Sequence, residues 1–265
     1  MNRLLAFALL LGLALGSFAQ AGTILVVSDN GLKSPRSGTS EDDFAAFLSN
    51  LGHTVYVSDP QQYREANEGA AGAAAFVADN AVDLVIVSRD TDSGQYKNAT
   101  GWNTISKPLL LMSPYLSRRS RWKWLDTTSA KNDQIDDMKI VAPSDPFVAG
   151  LTGSYTSGGY VSYNGTTDPG NGTLIGTTPD DMMWLVKWDA GTEFYAGSGQ
   201  TAGALRVLLG GIPYHETHDD IDMTFDHYSE NGKAIIAQVV NTMIPEPATI
   251  ALLGLGGLAV FRRKR

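Results

Sequence analysis

The sequence contains no cysteine in 265 residues. Disulfides, thiolate nucleophiles and zinc-thiolate centres are therefore excluded. Histidine is scarce, with only four residues, so any imidazole chemistry falls to His53, His215, His218 or His227. Positive charge is also in short supply: 20 Lys/Arg stand against 28 Asp/Glu. An acidic chain is a poor partner for nucleic acid or for an anionic lipid surface. Long apolar runs are missing as well. The longer terminal stretch, Ala248 to Phe261, would reach about 21 Å as a helix, short of the ~30 Å hydrocarbon core.

What is present at the two ends is informative. Met1-Asn2-Arg3 makes a short positive start, an apolar run follows from Leu4 to Gly16, and Ser17-Phe18-Ala19-Gln20-Ala21 closes with an Ala-x-Ala pattern. This order predicts a signal peptide over residues 1–21, cut by signal peptidase between Ala21 and Gly22. A membrane anchor is the alternative, but the run is short and small residues follow it. At the other end, Pro245-Glu246-Pro247 precedes the uncharged Leu/Ala/Gly stretch 248–261, and Arg262-Arg263-Lys264-Arg265 finishes the chain. The prolines stop the preceding helix and keep the junction extended. The basic cluster suits retention on the cytoplasmic side.

This three-part tail, residues 244–265, resembles the PEP-CTERM sorting signal. The resemblance implies an exosortase-type, transpeptidase-like membrane enzyme that cuts near Pro245-Glu246-Pro247 and releases or re-attaches the protein. The implied route is export across the inner membrane, transient anchoring through residues 248–261, then the cell surface or extracellular matrix. A simple tail anchor is the alternative.

Between the two signals lies a body, residues 22–243, expected to be a single domain. Five of the Lys/Arg and one of the Asp/Glu belong to the terminal segments, which leaves the body with a net charge of −12. Such a body is compatible with divalent cations or with solvation in a polysaccharide matrix. Thr23 to Val27 is a continuous apolar run of the kind buried on both faces of a sheet. Thr39 to Leu51 predicts an amphipathic helix with Glu41-Asp42-Asp43 in its first turn and Phe44, Phe47, Leu48 and Leu51 on one face. Strands follow at Thr54–Val57, Leu84–Val87 and Leu109–Met112, with a small-residue helix over Ala70–Asn80. Alternating strands and helices indicate an α/β three-layer sandwich with a mainly parallel sheet.

The second half has more turn residues, especially over Gly150–Gly172. Short extra strands are predicted at Leu174–Thr177, at Met183–Lys187 (an alternating, edge-like run), at Glu193–Tyr195 and at Ala204–Leu209. A last helix is predicted over Ser229–Met243. This order resembles the flavodoxin-like, class I glutamine-amidotransferase-like fold and, within it, the ThuA-like branch. Its landmarks are Ser144-Asp145-Pro146-Phe147 through Gly150-Leu151, then Thr173-Leu174-Ile175-Gly176, Met183 to Trp188, and Arg206-Val207-Leu208-Leu209-Gly210-Gly211. The chain departs from that group in lacking the cysteine nucleophile, which rules out glutaminase chemistry, and the early Gly…His-Asp element.

Ligands of open parallel sheets bind beyond the carboxyl ends of the strands. Here those ends carry Ser28-Asp29-Asn30, Ser58-Asp59, Ser88-Arg89-Asp90, Ser113-Pro114 and Tyr214-His215, so Asp29 and Asp90 are ligand candidates. The bland reading is helix capping and turn chemistry. The resemblance puts Ser113 near the amidotransferase nucleophile position, with His215 as its base, but without a Gly-x-Ser-x-Gly elbow. His215, His218, Asp219 and Asp222 form a run whose mixed nitrogen and oxygen donors suit a divalent metal, although the spacing is not His-Glu-x-x-His. No cofactor is required. Arg118-Arg119-Ser120-Arg121-Trp122-Lys123-Trp124 sets Arg119, Trp122 and Trp124 as candidates for an acidic exopolysaccharide. The structural alternative is a buried Trp face with snorkelling cations. The leading expectation is a non-catalytic surface or matrix component. The rivals are a metal-assisted enzyme acting on a carbohydrate and an adhesive sugar-binding module.

Overall fold

The computed structural model describes residues 21–29, 40–213, 217–218, 221–222 and 225–244. Strand β1 (Thr23–Val27) is buried from Ile24 onward on both of its faces. An all-apolar strand has no side to offer to water, so it takes a central place in a covered sheet. β2 (Thr54–Val57) and β3 (Leu84–Val87) flank it in parallel. β4 (Leu109–Leu111) pairs in parallel with β3, and β10 (Arg206–Leu209) in parallel with β4. The parallel half therefore runs β2-β1-β3-β4-β10, an order that reverses between β1 and β3 as in doubly wound sheets.

Beyond β10 the sheet becomes antiparallel. β9 (Met183–Trp188) pairs with β10, β7 (Tyr160–Asn164) with β9, and β5 (Ala130–Gln134) with β7. β8 (Thr173–Thr177) also joins β9, and β6 (Lys139–Ile140) joins β8. A separate two-stranded ribbon pairs β11 (Thr217–His218) with β12 (Ile221–Asp222).

Helices cover both faces. α1 (Ser40–Asn50) and α5 (Glu230–Met243) pack on one: Phe44 and Leu48 meet Ile24, Val26, Leu84 and Ile86 there, together with Ile235, Ile236, Val239 and Met243. The Ser229 side chain caps α5 by accepting from the Gly232 amide at 2.9 Å. α2 (Gly69–Asp79), α3 (Ala99–Asn103) and α4 (Pro114–Ser117) lie on the other face, over Leu25, Val27, Val85 and Val87. This is the three-layer α/β arrangement expected from the alternation of elements.

The second half differs from expectation. The run Met183–Trp188 is no edge strand: five of its six residues are buried and it pairs with three strands. Lys187, which gave the run its alternating look, is half-buried and reaches Asp145 at 2.6 Å. Glu193–Tyr195 forms only an isolated bridge between Glu193 and Thr201. The turn-rich stretch Gly150–Gly172 contains β7, disguised because its buried Ser162 and Asn164 are polar. β5, with its Lys, Asn, Asp and Gln, is the outer strand beyond β7, where polar residues are tolerated.

Candidate functional site

The carboxyl ends of β1, β2 and β3 bring their polar residues together. Ser58 Oγ accepts the Ser28 amide at 3.0 Å and donates back to the Ser28 carbonyl at 3.1 Å, stitching the ends of β1 and β2. Asp90, after β3, accepts from Ser28 Oγ at 2.9 Å, from Ser88 Oγ, and from the Asp29 amide at 3.4 Å. Asp29 is in turn gripped by both guanidinium arms of Arg64, through Nε at 2.6 Å and through Nη2. This fork-to-carboxylate bond pushes the Arg64 guanidinium up, against the opposing effect of its own burial. The buried Tyr96 hydroxyl faces the same carboxylate, and burial first and Asp29 second push its ionisation far above the usual range.

The side chain that residue patterns did not single out is Glu41. It sits in the first turn of α1, yet it is completely buried and neither carboxyl oxygen has a hydrogen-bond partner. Burial pushes its pKa well above the ordinary glutamate value, and the nearby Asp90 charge pushes it further; the Ser88 hydroxyl partly offsets them. Burial beside the Asp90 charge thus favours the protonated form of Glu41. The signal for it was present in the sequence. Glu41, Phe44 and Leu48 recur at helical spacing, which puts the acid on the buried stripe.

Farther along the sheet, Arg89 lies over the Tyr115 ring at 4.8 Å, donates from Nη2 to Asn132 at 3.2 Å and bonds Ser162 through Nε. Ser162 donates to Asn132 at 2.6 Å. Gly210 is needed here, because a Cβ on it would fall 1.9 Å from the Ser162 carbonyl oxygen. Ser113 is buried with its hydroxyl unpartnered, at the start of α4. Its suggested base, His215, lies outside the described residues, as does Asp219. His218 and Asp222 are not opposite one another: the ribbon pairs Thr217 with Asp222 and His218 with Ile221. Among the described residues no group of three His, Cys, Asp or Glu side chains is arranged to hold a metal ion.

Of the two readings of the basic-aromatic segment, the buried Trp face is the one the structure bears out, and it corrects the candidacy of Trp122 and Trp124 as sugar-binding rings. Trp122 and Trp124 are both fully buried and so offer no open ring face to a sugar. Trp122 stacks on Trp102 at 5.2 Å and Trp124 on Phe194 at 5.3 Å, with Trp188 at 5.5 Å. Their indole N–H groups donate to the Tyr96 carbonyl at 2.6 Å and to Asn103 Oδ1 at 2.7 Å, so the polar edges are satisfied in the interior. Apolar contact has outcompeted display. Arg119 remains exposed, 3.5 Å from Asp126. Arg118 is tied inward by the Tyr115 carbonyl at 2.7 Å and by Ser93 at 3.2 Å.

Fold and site together define a doubly wound α/β domain with a buried, acid-bearing polar cluster at the carboxyl edge of its parallel strands. Residues 244–265 match the family model of the PEP-CTERM protein-sorting motif. The tail therefore makes this an exported protein, with an exosortase-type sorting enzyme as its partner. No curated protein and no solved structure matches the chain, and no family match supports the amidotransferase-like or ThuA-like resemblance of the body. Among the described residues no helix is long and apolar enough to cross a membrane; the stretch 248–261 lies outside them.

Proposed function

We propose that the chain is a surface or extracellular-matrix component whose body, residues 22–243, is a single non-catalytic domain. Signal peptidase removes residues 1–21, and the exosortase-type enzyme acts near Pro245-Glu246-Pro247. The observation that carries the non-catalytic reading is the internal bonding of the carboxyl-edge side chains. Asp29 is held by Arg64, Asp90 by Ser28 and Ser88, and Arg89 by Ser162 and Asn132. Groups committed to one another in this way brace the loops rather than stand ready to attack a substrate. The strand order β2-β1-β3-β4-β10 is what supports the flavodoxin-like and ThuA-like comparison, and a shared order carries no activity with it.

Intact mass of the protein recovered from outside the native host tests the sorting half. It should correspond to a chain that starts at Gly22 and lacks the Leu/Gly tail; a mass that includes the tail in the extracellular fraction would sink it. Elemental analysis tests the rest. On the non-catalytic reading the protein carries no stoichiometric transition metal, and a chelator leaves its melting temperature unchanged. One equivalent of Zn or Mn, lost in His215→Ala, would establish the metal-assisted reading instead, since a bound metal stabilises the native state by mass action.

A further inference from the structure

At the end of the sheet opposite the acid cluster, the amino ends of β1, β2 and β3 meet around Gly22. The Gly22 amide donates to His53 Nδ1 at 3.2 Å, just before β2. The next amide, Thr23, donates to Asp83 Oδ2 at 2.9 Å, just before β3. A Cβ placed on Gly22 would lie 2.8 and 2.9 Å from Ile244 Cγ2 and Cδ1, and 3.4 Å from Asp83 Oδ2. Glycine is what allows the chain to pass here. His53 is buried, and its acceptor role at Nδ1 places the neutral ring's proton on Nε2. That nitrogen is buried near Asn241 of α5, and neither it nor Asn241 Oδ1 has a partner at hydrogen-bonding geometry.

We infer that this junction is the seat of the α-ammonium group that leader removal creates at Gly22, with Asp83 as its counter-ion and His53 Nδ1 as an acceptor. The inference rests on the cleavage site proposed above. Hydrolysis of the Ala21–Gly22 bond consumes one water, leaving a carboxylate on Ala21 and an amine on Gly22 that takes up a proton. In the precursor the Gly22 nitrogen offers this junction a single N–H. The mature terminus offers three donors and a positive charge, and the half-buried Asp83 carboxylate beside it supplies the opposite charge. Ala21 is exposed while Gly22 is buried, so the boundary between solvent and interior coincides with the bond to be cut. Ile244, which covers Gly22, is buried at the end of α5 and is the first residue of the sorting-motif match. The seated terminus thereby pins the residue next to Pro245-Glu246-Pro247, and the two processed ends leave the domain side by side.

Amine acylation of the exported, full-length-derived protein tests this. An N-hydroxysuccinimide ester is applied at neutral pH, and the amino-terminal peptide is followed by mass spectrometry, folded and in urea. The Gly22 amine should react at least tenfold more slowly in the folded protein than in urea. Asp83→Asn, which keeps an acceptor for the Thr23 amide and removes the charge, should restore most of the rate. A Gly22 amine that reacts within twofold of its rate in urea overturns the seat while leaving the cleavage site intact. An amino-terminal peptide that starts elsewhere overturns the cleavage site, and the seat with it.

Discussion

Glu41→Gln is the sharpest probe of the acid cluster, because the two side chains are nearly isosteric and only one titrates. An exposed glutamate titrates near 4.5, and burial and then Asp90 hold the folded Glu41 well above that value. Between the two values the native state keeps a proton that the unfolded chain has released, so stability falls as pH rises. The slope of one such group is about 1.4 kcal/mol per pH unit. For a domain of this size that is roughly 3–6 °C of melting temperature per unit. Below the unfolded value both states carry the proton and the effect vanishes. Urea unfolding of wild type and Glu41→Gln from about pH 4 to about pH 8 gives the two stability curves. Their difference should be flat at the acid end and should close, then invert in favour of the variant, at the slope given above. A fixed cost from burying the Gln amide shifts the whole difference without altering that slope. Asp90→Asn should narrow the window by removing the second cause of the shift. Parallel curves for wild type and Glu41→Gln would refute the reasoning, since they would mean that Glu41 ionises alike in both states.

The aromatic cluster makes a second prediction: Trp124→Ala should cost about 3–5 kcal/mol, and iodide should fail to quench the blue-shifted emission of the folded wild type. Strong quenching, relieved by added polysaccharide, would restore the sugar-platform reading. Arg206 is wholly buried and donates to the carbonyls of Asn103 and Lys107, each at 2.9 Å, and to Ile105; burial pushes its guanidinium down to about 9, still charged at neutral pH. Arg206→Met should cost about 3 kcal/mol or more by stranding those acceptors, a loss that thermal unfolding would register.

The amino-acid sequence by itself determined the sorting tail and the parallel half of the sheet. The tail is a linear signal, read by an enzyme on an extended chain, so order and composition suffice. β1 and β3 were legible because a strand covered on both faces shows its burial as a local apolar run. Only the tertiary structure decided the rest. Arg89 finds Asn132 and Ser162 at separations of 43 and 73 residues, and no local pattern marks such a meeting. β7 was hidden because buried Ser162 and Asn164 look like turn residues until their partners are in place. Trp122 and Trp124 were poised between display and burial until Trp102, Trp188 and Phe194 arrived to cover them. Glu41 shared a helical stripe with Phe44 and Leu48 in the sequence, but only the sheet closing beneath it took its water away. Burial is a property of what lies opposite a residue, and what lies opposite is set by the whole chain.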